Sequence, residues 1–493
     1  MFARERVREF LDAFGVEVDD CILQLMELLE VQDKETIAFM EKRASLMAIS
    51  PIDGRYADKT KEFRETFSEF GLFRFRVFVE IKWLEFLLLE TKLIDYSNEE
   101  IRLILLIPEQ FNIESAIRIK EIEKITNHDV NAVVEYIKEC LVDIGLRKFS
   151  GYVHLFLTSE DVNNAAYSLM LKEANKIFGL KFCKFLESLD KKVENWKNIV
   201  MLGHTHGQPA TPTTMGKELL VFSRLFVSEF LKVQEWKAFV KWSGATGTFA
   251  AHHFVMPEVN WPTKCEHFVR GYLRMDYISI STQINPHHDI AELLQMIIRI
   301  AGTIVDMSSD MWIYISKKYL KQKPKEGEVG SSTMPHKVNP IDWENARGNA
   351  KIAIGLCECL SRELLVSTMQ RDLSDSTIQR CLGTIFSHMI IATESCIKGI
   401  GKIEINQNEI NKDLRDNPEV ITEGIQVFLR VLGIPDAYNK LKELSRGKKL
   451  TKKILKEFVD ALDIPQKDKR KILSLTPAKY VGLCLDIINR ELN

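Results

Sequence analysis

What most limits the fold of this chain is how rarely it can be broken. Glycine (24) and proline (14) make up roughly 8% of its 493 residues, against about 12% in an average protein. Turns that need a positive φ or a fixed φ are therefore few, and long uninterrupted helices are expected. Apolar periodicity agrees. Met215, Leu219, Phe222, Phe226, Phe230, Val233, Trp236 and Val240 recur every three or four residues, as on one face of a helix spanning about 213–242. Ile290, Leu294, Ile297, Ala301, Ile304, Met311 and Ile315 repeat the pattern, with Glu292, Gln295, Arg299, Asp306 and Asp310 on the opposite face. Similar stripes run near 160–200, 342–369 and 376–402. Five helices of about 25–40 residues form a bundle. No segment alternates with period two, so any sheet is minor. The expected class is all-α: an elongated central long-helix bundle flanked by smaller helical N- and C-terminal domains. Their bounds are residues 46–147, 148–400 and 401–493, with 1–45 as an N-terminal extension predicted to hold two short helices.

Composition excludes several functions. Lys plus Arg (67) nearly balance Asp plus Glu (69), so no global field draws the chain to nucleic acid. The stretch 431–493 is locally basic, but it lacks the interleaved aromatics that stack on bases and reads as a solvated helical face. Nine cysteines without a CxxC pair point to reduced thiols and a cytoplasmic setting. No apolar run reaches the ~18 residues of a membrane helix. Histidines occur in pairs (His204 and His206, His252 and His253, His287 and His288), yet none has a metal-ligand spacing, and no metal or cofactor is expected.

Function should sit where the breakers gather. Lys321 to Pro340 contains five glycines and prolines beside serines, threonine, histidine and lysines, the make-up of a lid closing over an anion. Thr126-Asn127-His128-Asp129 and Thr158-Ser159-Glu160-Asp161 each read as the start of a helix, where free N–H groups favour an anion. Gly203 to Pro209 reads as a Gly/Pro turn joining two helices.

In order along the chain, SPIDGRY (50–56), TNHD (126–129), TSEDVNN (158–164), THGQPATPTTMGKE (205–218), TQINPHHD (282–289), GSSTMPHKVNP (330–340) and QRDLSDSTIQR (370–380) resemble the signature segments of the fumarase/aspartase/argininosuccinate lyase superfamily. Within it, the SPIDGRY and THGQPATP forms are similar to the adenylosuccinate lyase branch, bacterial type, over about 46–493. The resemblance implies a fumarase/aspartase-like fold and β-elimination of fumarate from adenylosuccinate, giving AMP, and from the succinyl-carboxamide imidazole ribotide SAICAR, giving AICAR, in purine biosynthesis. It also implies a homotetramer whose active sites are shared between subunits, with small-molecule substrates and neither nucleic acid nor membrane as partner.

Such an elimination needs a base for a carbon-bound proton, stabilisation of the dianion that develops, and an acid for the departing nitrogen. By resemblance, Ser331 is the base, activated by amides and cations of the closed loop. His206 is the acid, suited by a histidine's titration near neutrality. His128 supports it, with Asp129 as orienting partner. Lys337 and Asn339 meet the succinyl carboxylates, Arg55 and Tyr56 clamp phosphate, and Thr158 and Ser159 donate to a carboxylate. Asn127, Gln283, Asn345, Arg371, Ser376, Thr377 and Arg380 complete the implied substrate contacts. Two positions depart from the family pattern. His204 stands where an arginine is usual and changes the charge beside His206; Asn285 stands where an acid is usual. Another fumarate-releasing lyase of the superfamily and a non-catalytic helical scaffold are the competing readings. The phosphate-directed residues disfavour the first, and retention of the acid–base set disfavours the second.

Overall fold

The computed structural model describes residues 43–323, 333–334, 336–447 and 450–492. Most of the 1–45 extension, with its two expected helices, and the proposed base Ser331 lie outside the described residues. The chain divides into two compact units, residues 1–62 and 63–493. In the first, the Ser50-Pro51 turn is closed by Gly54 N–H donating to Ser50 O (3.0 Å) and Tyr56 N–H donating to Pro51 O (2.8 Å). Arg55 and Tyr56 belong to this turn, and Lys59 lies 5.4 Å from the centre of the Tyr56 ring.

The second unit is helical, with three two-stranded sheets as its only described strands. After a one-turn helix at Arg64–Phe67 come α1 (Glu69–Thr91), α2 (Asn98–Glu109), α3 (Ile113–Thr126) and α4 (Asp129–Asp143), which close over one apolar cluster that includes Val77, Ile104, Ile119, Val133 and Ile137. Their ends follow local chemistry. A Ser97–Glu100 capping box starts α2, and Asn127 in the left-handed region (φ 51°) ends α3.

The long helices follow. They are α5 (Ser159–Trp196), α6 (Met215–Gln234), α7 (His288–Ser316), α8 (Ile341–Glu363) and α10 (Leu382–Lys402), with the short α9 (Ser374–Gln379) before the last. Their apolar stripes merge into one core. Phe182, Phe185, Phe226 and Phe230 interlock between α5 and α6 with ring centres 5.0–5.7 Å apart, each such pair contributing about 0.5–1.5 kcal/mol beyond area burial. A Cβ on Gly216 would lie 2.6 Å from Lys197 Cα, so only glycine lets the first turn of α6 press onto the end of α5. A separate cluster (Ile425, Leu429, Leu441, Val459, Ile472) holds the C-terminal helices. No described helix is long and apolar enough to cross a membrane. The eight described cysteines are unpaired.

Five helices stand where the stripes predicted them, but at 38, 20, 29, 23 and 21 residues three fall short of 25. The stripe at 213–242 runs past the helix. Trp236 leaves it to donate its indole N–H to Asp289 O (2.7 Å), and Phe239–Lys241 pairs as a parallel strand with Asp276–Ile278. The turn at 203–209 is also corrected: it joins two strands. β1 (Val200–Thr205) and β2 (Gln208–Thr214) form an antiparallel hairpin with Thr205 opposite Gln208. Its two loop residues, His206 (φ 52°) and Gly207 (φ 71°), have the left-handed pair of angles that a two-residue hairpin requires.

Candidate functional site

The expected site residues fall at two ends of the bundle. At 1.5 Å per residue, the 38 residues of α5 span about 57 Å. Thr158 and Ser159 sit at its start, and the hairpin bearing His206 begins four residues past its last residue, Trp196.

The Ser159 end gathers most of the expected binding residues. Thr158 N–H donates to Asp161 Oδ2 (2.9 Å), which anchors the first turn of α5. The other Asp161 oxygen accepts from Lys241 Nζ (2.6 Å) and Ser243 N–H (3.1 Å), and both charged side chains are wholly buried. This fixes the Ser243–Thr248 loop, whose Ala245 carbonyl accepts from the Gln283 amide (3.0 Å). His128 caps α4, its Nδ1 accepting from Asn131 N–H (3.2 Å), so the neutral ring carries its proton on Nε2. That corrects the pairing expected with Asp129, whose Oδ1 is 3.9 Å away. Asp129 instead takes Arg76 (2.8 Å) and Arg380 (3.3 Å) on Oδ2 and Val130 N–H on Oδ1. Burial opposes its charge, but Arg76 and Arg380 hold its carboxyl below the usual range. Arg380 closes α9, which carries half-buried Ser376 and exposed Thr377. Arg371, just before α9, reaches Glu160 Oε2 (3.1 Å). Asn127, His128, Asp129, Thr158, Ser159, Gln283, Arg371, Ser376, Thr377 and Arg380 thus belong to one connected region of the chain.

Three members of that region escaped the sequence reading. Arg76, 1% exposed, holds Asp129 and also donates to Asn163 (2.9 Å) from mid-helix α1, where nothing in the local pattern marks it. His154, in the left-handed region at φ 63°, places Nδ1 2.6 Å from the buried Glu80 carboxylate. Burial works against its charge, yet Glu80 raises its pKa above the ordinary histidine value. Its position four residues before Thr158 was the available signal. His287 is the third. Glu160, His287 and Asp375 bring ligand atoms within 4.8 Å of one another, a spacing that suits a metal ion. Arg371 already lies 3.1 Å from Glu160 and 3.9 Å from Asp375, so a guanidinium supplies the positive charge there.

The other end carries His206 in its exposed turn and, at the start of α8, Lys337, Asn339 and Asn345. Gln322 donates to Val338 O (3.0 Å), which holds the close of the signature segment, and Ser395 donates to Asn345 Oδ1 (2.8 Å). His204 lies 2.7 Å from Lys317 Nζ at the end of α7. Both line a cavity of about 580 Å³ with Thr205, Lys217, Asp310 and Tyr314. Burial, then Asp306 and Glu218, push Asp310 up to about 6. Asn285, the second departure, is buried and structural: it donates to Phe239 O (2.7 Å) and accepts from His287 N–H (2.8 Å).

Comparison with known proteins bears on both ends. A lyase family model matches residues 54–355, and one for the adenylosuccinate lyase C-terminal region matches 367–481. The adenylosuccinate lyase of Haemophilus influenzae is 41% identical over 452 residues, 91% of this chain and 99% of that protein. That of Escherichia coli K12 is 39% identical over 451 residues, 90% and 99% of the two. Among solved structures, a 3-carboxy-cis,cis-muconate lactonizing enzyme from Pseudomonas putida superposes with a TM-score of 0.71 at 19% identity, covering 87% of this chain and 96% of its own. A fumarate lyase from Mesorhizobium sp. BNC1 does so with 0.71 at 16%, covering 88% and 97%. At such identities these two speak for the fold alone.

Proposed function

The chain belongs to the adenylosuccinate lyase family and is a carbon–nitrogen lyase, and from that premise we propose how its residues divide the work of eliminating fumarate from adenylosuccinate and from SAICAR. The observation that carries this reading is the near-complete alignment with adenylosuccinate lyases at about 40% identity, across every motif that holds the expected acid, base and binding groups.

Ser331 removes the carbon-bound proton beside a succinyl carboxylate. Lys337 and Asn339, six and eight residues further on, stabilise the charge that builds on that carboxylate. His206 gives its proton to the departing nitrogen; its hairpin turn leaves the ring exposed, which favours reach. At the Ser159 end, the hydroxyls of Thr158 and Ser159 receive a carboxylate at the positive terminus of a 38-residue helix. His128, with its Nε2 turned away from its cap, supports the acid, and Asn127 lies beside it. Asp129 holds Arg380. Gln283, Asn345, Arg371, Ser376, Thr377 and Arg380 contact substrate, and Arg55 and Tyr56 clamp the phosphate. No metal or cofactor enters this scheme.

Acid and binding groups at opposite ends of a helix about 57 Å long cannot meet within one chain. That separation supports a homotetramer in which each site unites one copy's Ser159 end with the His206 end and signature loop of others. The division into 46–147, 148–400 and 401–493, with 1–45 as an extension, is part of the same reading. Separate apolar clusters under α1–α4 and under 421–480 support it. Unpaired cysteines favour a cytoplasmic setting.

Absorbance change on adding adenylosuccinate to the purified protein, with argininosuccinate and malate as controls, tests the substrate. Turnover of adenylosuccinate and neither control is expected. Turnover of malate alone would overturn the assignment.

A further inference from the structure

At the Ser159 end, four charged or chargeable side chains are buried together: Glu160 (1% exposed side chain), His287 (1%), Asp375 (7%) and Arg371 (14%). They come from three motifs distant in sequence and include two carboxylates against a single permanent cation, Arg371. With both carboxylates ionised against one guanidinium, the cluster holds a surplus negative charge in a low-dielectric setting. The hydrogen bonding is also incomplete. Glu160 Oε1, Asp375 Oδ1 and His287 Nδ1 have no hydrogen-bond partner among the described residues. His287 Nε2 is 3.8 Å from Asp375 Oδ2 and 3.4 Å from the Gln379 amide, too long for strong bonds. A cluster of this kind is completed by one proton. Lodged on Glu160, it would cancel the surplus and turn an orphaned carboxylate oxygen into a donor.

We propose that Glu160 is a positioning residue that holds Arg371 toward the substrate and, packed beside His287 and Asp375, carries one proton whose presence favours binding of the anionic nucleotide. This rests on the substrate reading above. Arg371 contacts Glu160 through Nη2 while its side chain keeps 14% of its surface exposed, and its buried Nε has no hydrogen-bond partner among the described residues. When the proton leaves, Glu160 draws the guanidinium inward and a net negative charge appears behind the groups that must receive phosphate and carboxylate. The groups facing Glu160 are Arg371, His287, Asp375 and, more remotely, Lys241, which Asp161 already neutralises. Independently of this geometry, burial pushes the Glu160 carboxyl up to about 7 in spite of Arg371, which puts the proton's departure near neutrality.

KM and kcat for adenylosuccinate, and the Kd of the product AMP by calorimetry, are to be measured from pH 6 to 8.5 for the wild type, Glu160→Gln and Glu160→Ala. Glutamine keeps an acceptor for Arg371 but carries no titrating proton; alanine removes both. The substrate's phosphate itself titrates near pH 6, so the variant-to-wild-type ratio is the quantity read. In the wild type KM and Kd should rise about three- to tenfold between pH 6.5 and 8.5 relative to Glu160→Gln, the size of one nearby charge in a partly screened setting. Glu160→Ala should raise KM at every pH with a smaller change in kcat. Asp375→Asn, which neutralises the other carboxylate, should flatten the profile as Glu160→Gln does. A parallel pH dependence in wild type and both neutral variants would overturn the proposal. Absence of turnover with the pH-dependent difference in AMP binding intact would instead overturn the substrate reading and leave this one standing. If Glu160→Gln proves unfolded by circular dichroism, Asp375→Asn decides alone.

Discussion

At the Ser159 end of the bundle, Glu160, Asp161, Lys241 and His287 are each at most 1% exposed and tied to partners from four chain segments. At the opposite end, His206 stands in an exposed two-residue turn, and Lys337 is exposed at the approach to α8. One end is organised inside a single chain; the other offers its groups outward. Binding groups profit from being fixed before the ligand arrives, because the cost of ordering them has been met during folding. On the proposed reading, the acid His206 is left where a second copy of the chain can complete its surroundings.

The largest test of this contrast is His206→Ala. With the ring exposed and outside the core, the variant should fold and assemble as the wild type does while kcat falls about 10²- to 10⁴-fold, the usual contribution of a general acid. Near-normal turnover would remove the acid assignment. Ser331→Ala should behave alike. Mixing His206→Ala with Arg371→Ala, after subunit exchange confirmed by mass-tagged copies, should recover up to about a quarter of wild-type activity, since random pairing of two ends makes that share of sites intact. If exchange is complete and no activity returns, the two ends do not meet across subunits.

The next test concerns stability. Lys241→Met strands the buried Asp161 carboxylate, which also holds Ser243 N–H, and should cost about 3–5 kcal/mol in denaturant unfolding. The matched change at the other end, Lys317→Ala, removes an exposed contact and should cost less than about 1 kcal/mol. Equal losses would mean that the ends do not differ in how they are held.

The helices were legible because their stripes reflect a local rule, and five of them stand where the stripes ran. Their lengths were less so. At Gln234 the apolar period continues through Trp236 and Val240 while the backbone turns away, because a tertiary hydrogen bond to Asp289 and a parallel strand partner at 276–278 outweigh local propensity. The hairpin at 200–214 was hidden for a related reason: its strands interrupt with glycine and proline, and the turn uses histidine where asparagine would have announced it. For the site, family resemblance found residues with recognisable neighbours. It missed Arg76, His154 and His287, whose partners lie up to 92 positions away (Gln379 from His287), a distance that no local pattern records.

The smallest expected effect lies at His204. Neutral, its Nε2 accepts from the Lys317 ammonium (2.7 Å) and ties β1 to the end of α7. Burial, followed by Lys317, lowers its pKa below the ordinary histidine value, with Asp413 acting in the opposite sense. For a base whose folded-state pKa is depressed, the unfolded chain takes up the proton first as pH falls. The stabilisation is therefore present above the ordinary histidine range and is lost as pH drops through it towards the folded-state value. His204→Gln keeps an acceptor for Lys317 without the titration. Between pH 7.5 and 5.5 the wild type should lose more thermal stability than this variant, by about 1 °C or less, as befits a partly exposed pair. Identical losses would show that the hairpin is held by its packing against the C-terminal helices and not by the charge state of His204, which would make the exposed end as insensitive to protonation as the buried end is proposed to be sensitive.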